Sequence, residues 1–183
     1  MGALIALCLY PPMIRGILTG TIQQSLATWA LWVSLDLIAM FSVIIQKGNW
    51  LILACYISGG SLVTLGLIYK KYFKWTWFES LVLVMVVICL VVWWFSGSWM
   101  ATIASTIAVV ISGFPQVKDS WSNPDKKTGH IYLWYAVANA LSFFGGKSWS
   151  IEDRFYPGMC VPLCVFIGII SFRSKEQASV KHE

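Results

Sequence analysis

Apolar residues in this chain run in long blocks, separated by short polar breaks. Seven blocks stand out, at about residues 2–15, 26–46, 50–69, 79–97, 99–117, 130–149 and 153–172. A helix that crosses a bilayer needs roughly 20 mostly apolar residues at about 1.5 Å of rise each. Six blocks approach that length, and the first is shorter. The pattern predicts an all-α integral membrane protein of seven transmembrane helices, with loops too short to hold a separate soluble domain. The first block is read as a span and not a signal peptide, because it has no basic leader and no small-x-small cleavage site.

Composition agrees with the pattern. The 183 residues are 58% hydrophobic and 11% charged, with a mean hydropathy of +0.72, whereas soluble domains carry about 25% charged residues. Such a chain is not disordered, not a disulfide mini-protein and not an ordinary cytosolic enzyme. The net charge of +5 follows from where the cations fall. With the N-terminus outside, ten lysines and arginines lie in inner loops and the tail (Arg15, Lys70, Lys71, Lys74, Lys118, Lys126, Lys127, Arg173, Lys175, Lys181) and three outside (Lys47, Lys147, Arg154). That bias predicts an external N-terminus and a cytoplasmic C-terminus. The cations form no single patch, which argues against nucleic acid as a partner. The five cysteines all fall in apolar blocks and read as small buried hydrophobes. No Asn-x-Ser/Thr sequon occurs, which favours a bacterial cytoplasmic membrane.

Shifting the chain by 103 residues aligns blocks 1–3 with blocks 5–7 without a gap. Pro12 then meets Pro115, Arg15 meets Lys118, Trp32 meets Tyr135, Asp36 meets Asn139 and Lys70 meets Arg173. Block 4 has no counterpart, and from Leu81 to Phe95 it carries no charged, amide or hydroxyl side chain. One unpaired crossing between two three-helix units makes those units parallel repeats. The expected organisation is residues 1–72, a first three-helix repeat; 73–98, a linker helix; 99–173, a second repeat; and 174–183, a cytoplasmic tail.

This 3+1+3 pattern, with Gly113-Phe114-Pro115-Gln116 closing block 5, resembles the PQ-loop membrane proteins, which include the SWEET transporters. Tyr10-Pro11-Pro12-Met13 occupies the equivalent place in the first repeat and lacks the glutamine. The runs 139–147 and 151–157 are similar to bacterial PQ-loop proteins. The resemblance implies alternating access, with a small polar metabolite passing through a central pocket between two three-helix units. The sugar-carrying members have an asparagine in the third helix of each repeat; blocks 3 and 7 contain none. The substrate therefore stays open among sugar, amino acid, vitamin and others.

Asp36 is the most informative residue. It lies ten residues into block 2, about 15 Å deep by helical rise, where a carboxylate costs about 2.5–3.5 kcal/mol to insert and marks function or a partner. The alternative is a hydrogen bond to Asn139 or the backbone that only locks helices together. Trp29, Trp32, Asp36, Met40 and Val43 share one helical face, as do Tyr132, Tyr135, Asn139, Phe143 and Lys147. Two such faces predict a pocket of Asp36, Asn139, Trp32, Tyr135, Phe143, Lys147 and Tyr56, suited to a small flat or cationic ligand. Lys147 has a second reading as an interfacial, snorkelling side chain. Pro12, Pro115, Gln116 and Pro162 are the expected hinges, with Gly59 the repeat mate of Pro162. Ser150 to Asp153 reads as a capping box. No nucleophile–base set, metal cluster or phosphate loop is visible, and enzymatic chemistry, a cofactor and a metal are not expected. Expected partners are the lipid bilayer and a small-molecule substrate, with proton coupling and homo-oligomer formation left open. The competing reading is a SWEET-like receptor or scaffold that binds without transporting.

Overall fold

A computed structural model describes residues 1–21, 26–71 and 77–173. The tail 174–183 and Lys74 lie outside the described residues. The described residues form eight helices and no strand: α1 (Gly2–Cys8), α2 (Tyr10–Leu18), α3 (Leu26–Ile45), α4 (Leu51–Tyr69), α5 (Trp77–Ser112), α6 (Phe114–Ser122), α7 (Lys126–Phe144) and α8 (Ile151–Ser171). Block 1 is thus two helices that meet at Leu9, and block 5 continues through Gly113 into α6. Each break comes two residues before a proline, Pro11 and Pro115, which sit in the first turns of α2 and α6. Proline is welcome there, since the first N–H groups of a helix have no intrahelical partner. The breaks therefore pair Pro11 with Pro115, one residue off the 103-residue alignment.

Blocks 4 and 5 are the two arms of α5, joined at Gly97 with φ of +80° and ψ of −179°. That backbone region is essentially confined to glycine. α7 begins where Asp125, in extended conformation, accepts hydrogen bonds from the N–H groups of Lys127 (3.3 Å) and Thr128 (3.0 Å). Ser150 precedes α8 but makes no side-chain cap. The expected capping box does not form, because the buried Asp153 carboxylate is taken up by the neighbouring loops. Its carboxylate accepts from Asn49 N–H (2.7 Å) and Ser148 N–H (2.7 Å).

Among the described residues, three helices are long and apolar enough to cross a membrane: Leu51–Tyr69, Leu83–Ser122 and Ile151–Ser171. The first arm of α5 exposes Leu83, Val84, Val87, Ile88, Leu90, Val91, Trp94 and Phe95 on its surface. An apolar surface of that extent is untenable in water and natural in lipid. The hydroxyls inside these helices are quenched locally. Ser42, Ser58, Thr64, Ser105, Thr106 and Ser171 each donate to the carbonyl four residues earlier.

α4 packs against α1, α2 and α3, while α8 packs against α5, α6 and α7. Two further contacts, α1 with α7 and α3 with α5, join these groups. Gln46, in the turn after α3, donates to Ser98 O (3.1 Å) and Thr102 Oγ1 (2.9 Å), while Trp32 Nε1 of α3 donates to Ser112 Oγ. The second arm of α5 thus runs antiparallel along α3, and the first arm touches the core through Val86 and Cys89. Gly129 and Gly168 let α7 and α8 approach closely, since a Cβ at either would press on Phe172 or Leu133.

Candidate functional site

The core is two apolar clusters. One holds Tyr10, Met13, Trp29, Tyr132, Tyr135 and Ile167; the other holds Leu35, Ile38, Val43, Leu53, Val109 and Tyr156. Tyr56 packs on both. Where they meet lies a cavity of about 90 Å³, lined from α2 by Tyr10 and from α3 by Trp29, Trp32, Val33 and Asp36. α4 adds Tyr56 and Gly60, α5 adds Val109, and α7 adds Tyr132, Tyr135 and Asn139. α8 completes the wall with Tyr156, Cys160, Leu163, Cys164 and Ile167.

Two hydrogen-bonded pairs lie in its wall. Tyr156 on α8 donates its hydroxyl to Asp36 Oδ1 at 2.6 Å. Asn139 Nδ2 donates to Tyr56 Oη at 2.6 Å and to Tyr135 O at 2.9 Å. Each pair joins helices far apart in sequence, and both Asp36 and Asn139 are more than nine-tenths buried. The rings of Trp32, Trp29, Tyr10, Tyr135, Tyr56 and Tyr156 form a chain, each within 6.3 Å of the next, centroid to centroid. Most neighbours meet edge to face, the favoured arrangement for ring quadrupoles. One polar atom in the wall, Asn139 Oδ1, has no partner. Buried polar atoms nearly always find a partner, and exceptions call for a reason.

Of the seven pocket residues expected from sequence, Asp36, Asn139, Trp32, Tyr135 and Tyr56 line the cavity. Phe143 does not. It sits four residues beyond Asn139, where α8 has closed in, and its ring lies against Gly158, Trp149 and Arg154. Lys147 is exposed and outside the cavity, because α7 stops at Phe144 and helical spacing no longer places the residues that follow. Asp36 and Asn139 do not bond to one another; each pairs with a tyrosine. Tyr156 escaped the sequence reading because nothing in the chain distinguishes it from an interfacial tyrosine. Tyr10 escaped because it follows the break at Leu9, which no periodicity marks.

The hinge candidates lie around the cavity and not in it. Pro12 is exposed on α2 and Pro162 on α8, and Pro115 opens α6. Gln116 is buried and donates to Ser120 Oγ at 3.2 Å. At the other end of the bundle, Arg154 clamps the turn after α7. It donates to the carbonyls of Phe143, Gly146 (3.2 Å) and Ser148 (2.8 Å), and lies 4.0 Å over the Trp149 ring. No protein-family model matches the chain, and neither a curated protein nor a solved structure does.

Proposed function

We propose that this protein is a membrane transporter that moves a small polar metabolite by alternating access through the cavity between two three-helix units. The units are the first repeat, α1 to α4, and the second, formed by the second arm of α5 with α6, α7 and α8. In each, the third helix (α4 or α8) lies between the other two, and each first helix breaks before a proline. The contacts α1–α7 and α3–α5 relate the units as a pseudo-twofold axis would. The first arm of α5 is the linker, greasy and peripheral. Seven crossings, an external N-terminus and kinship with PQ-loop proteins belong to this reading.

The observation that carries it is the cavity at the seam, with Asp36 and Asn139 at equivalent places of the two units and the unpartnered Asn139 Oδ1 in its wall. A buried acceptor with capacity to spare is one that a polar solute can engage. Helix breaks beside such a site are where rocking units bend.

Uptake of a labelled metabolite pool into proteoliposomes tests the proposal. The expected result is time-dependent accumulation, with Asp36→Asn losing either concentrative uptake or affinity. Binding without accumulation would make the protein a receptor. Asp36→Asn with unchanged uptake, affinity and pH dependence would leave the carboxylate a structural group.

A further inference from the structure

The cavity wall specifies more than a small solute. Among its lining residues the single carboxylate is Asp36, and there is no lysine, arginine or histidine. Two of its polar groups have acceptor capacity to spare. Asn139 Nδ2 is committed to the Tyr135 carbonyl and to Tyr56, and exchanging the amide's O and N would set two acceptors against each other at that carbonyl. Oδ1 is therefore the atom left free to accept. Asp36 Oδ1 receives one bond, from Tyr156, whereas a carboxylate offers about four lone-pair sites.

Around these acceptors stand Tyr10, Trp29, Trp32, Tyr56, Tyr135 and Tyr156. Their interplanar angles of 47° to 80° mean that the rings do not stack flat on one another but present faces and edges in several directions. A cation placed among aromatic faces is attracted by their quadrupoles, the more so once desolvated. An anion would meet the Asp36 carboxylate with no compensating cation. A cavity of about 150 Å³ takes up benzene; one of about 90 Å³ admits a smaller body.

We infer that the cavity between α3, α4, α7 and α8 is a site for a small organic ammonium ion, seated among the tyrosine and tryptophan rings with Asp36 and Asn139 Oδ1 as its acceptors. This rests on the transporter reading for its purpose, but not for its chemistry.

Thermal unfolding of the full chain in detergent micelles tests it, with methylammonium chloride as the probe, small enough for the cavity and carrying N–H groups for the two acceptors. Methanol, sodium acetate and sodium chloride at matched concentration are the controls. Methylammonium should stabilise the wild-type protein progressively with concentration, as a ligand of the folded state must. Methanol, of similar size and neutral, should require at least about tenfold more for the same shift. Asp36→Asn and, separately, Trp32→Leu should each weaken the methylammonium response several-fold. Equal stabilisation by methanol, or none by methylammonium, overturns the inference on the wild-type protein alone, whether or not the variants fold. Labelled methylammonium and the metabolite pool are then followed in proteoliposomes. Ammonium binding with no uptake of any solute rejects transport and keeps the ligand class. Uptake of a neutral metabolite that methylammonium does not inhibit rejects the ligand class and keeps transport.

Discussion

At the scale of single residues, the site depends on close approaches that only small side chains permit. Gly59 on α4 lies flat against the ring of Tyr10, and a Cβ there would overlap the ring. The Tyr10 hydroxyl donates to Tyr56 O at 3.3 Å, so ring and backbone hold each other. Gly59→Ala should destabilise the protein by about 1–3 kcal/mol through overpacking, read as a lower unfolding midpoint in detergent. Most of that cost should vanish in a Tyr10→Ala background; an unchanged cost there would reject the explanation. Asp36 and Asn139 were legible in the chain because polar side chains deep in apolar blocks are expensive and rare. Their partners Tyr156 and Tyr56 were not, or only by position, since a tyrosine in an apolar helix can serve as core, belt or hydrogen-bond donor. Which it does is decided by the helix that comes to lie beside it.

Among the helices, breaks and caps carry the specific predictions. Gly97 between the arms of α5 has nothing within 4 Å of a built Cβ, yet its φ is +80°. Gly97→Ala should therefore cost about 1–3 kcal/mol through backbone strain alone. Gly66, in the α4 helix and equally uncrowded, should tolerate alanine with a gain of up to about 1 kcal/mol. Equal effects at the two sites in thermal unfolding would refute the strain argument. Asp125 caps α7. Burial pushes its carboxyl up, but hydrogen bonds from Thr128 and Lys127, with the Lys127 charge, hold it below the usual carboxylate range. A carboxyl depressed on folding stabilises the fold above its unfolded pKa and loses that contribution as pH falls through its folded value. Asp125→Ala should cost about 1 kcal/mol at neutral pH, and the gap to wild type should close in acid. The sequence located the long helices within a few residues. It marked Pro12 and Pro115 as hinges but ran blocks 1 and 5 straight through the breaks at Leu9 and Gly113, and it mistook Ser150 to Asp153 for a cap because a nearby loop competes for the Asp153 carboxylate.

For the molecule as a whole, the orientation of the chain is the testable matter. Contacts among Gln46, Ser98, Asn49 and Asp153 gather the ends of α3, α5's second arm and α8 at one end of the bundle. His130 against Phe172 and Arg173 over Trp121 gather others at the opposite end. Arg15, Lys70, Lys71, Lys118, Lys126 and Lys127 belong with this second end, which the proposed orientation makes cytoplasmic. Single cysteines introduced at Ser150 and Ser174, in a background without the native five, should be labelled from opposite sides of the membrane by an impermeant maleimide. Labelling of both from one side would remove the seven-crossing reading.

Hydrophobic patterning and length determined, without any tertiary information, that the chain is helical and carries several apolar helices, some of membrane-spanning size. They could do so because burial in lipid acts on each helix separately and leaves its mark in consecutive residues. The polar pair of Asp36 and Asn139 was readable for the same reason, as a cost borne within a single helix. The shape of the cavity was decided by tertiary structure. Tyr156 reaches Asp36 from 120 residues away, Gly59 accepts Tyr10 from another helix, and α8 closes over Phe143 before it can join the wall. Those choices turn on the distance between helices, and a one-dimensional pattern carries no record of it.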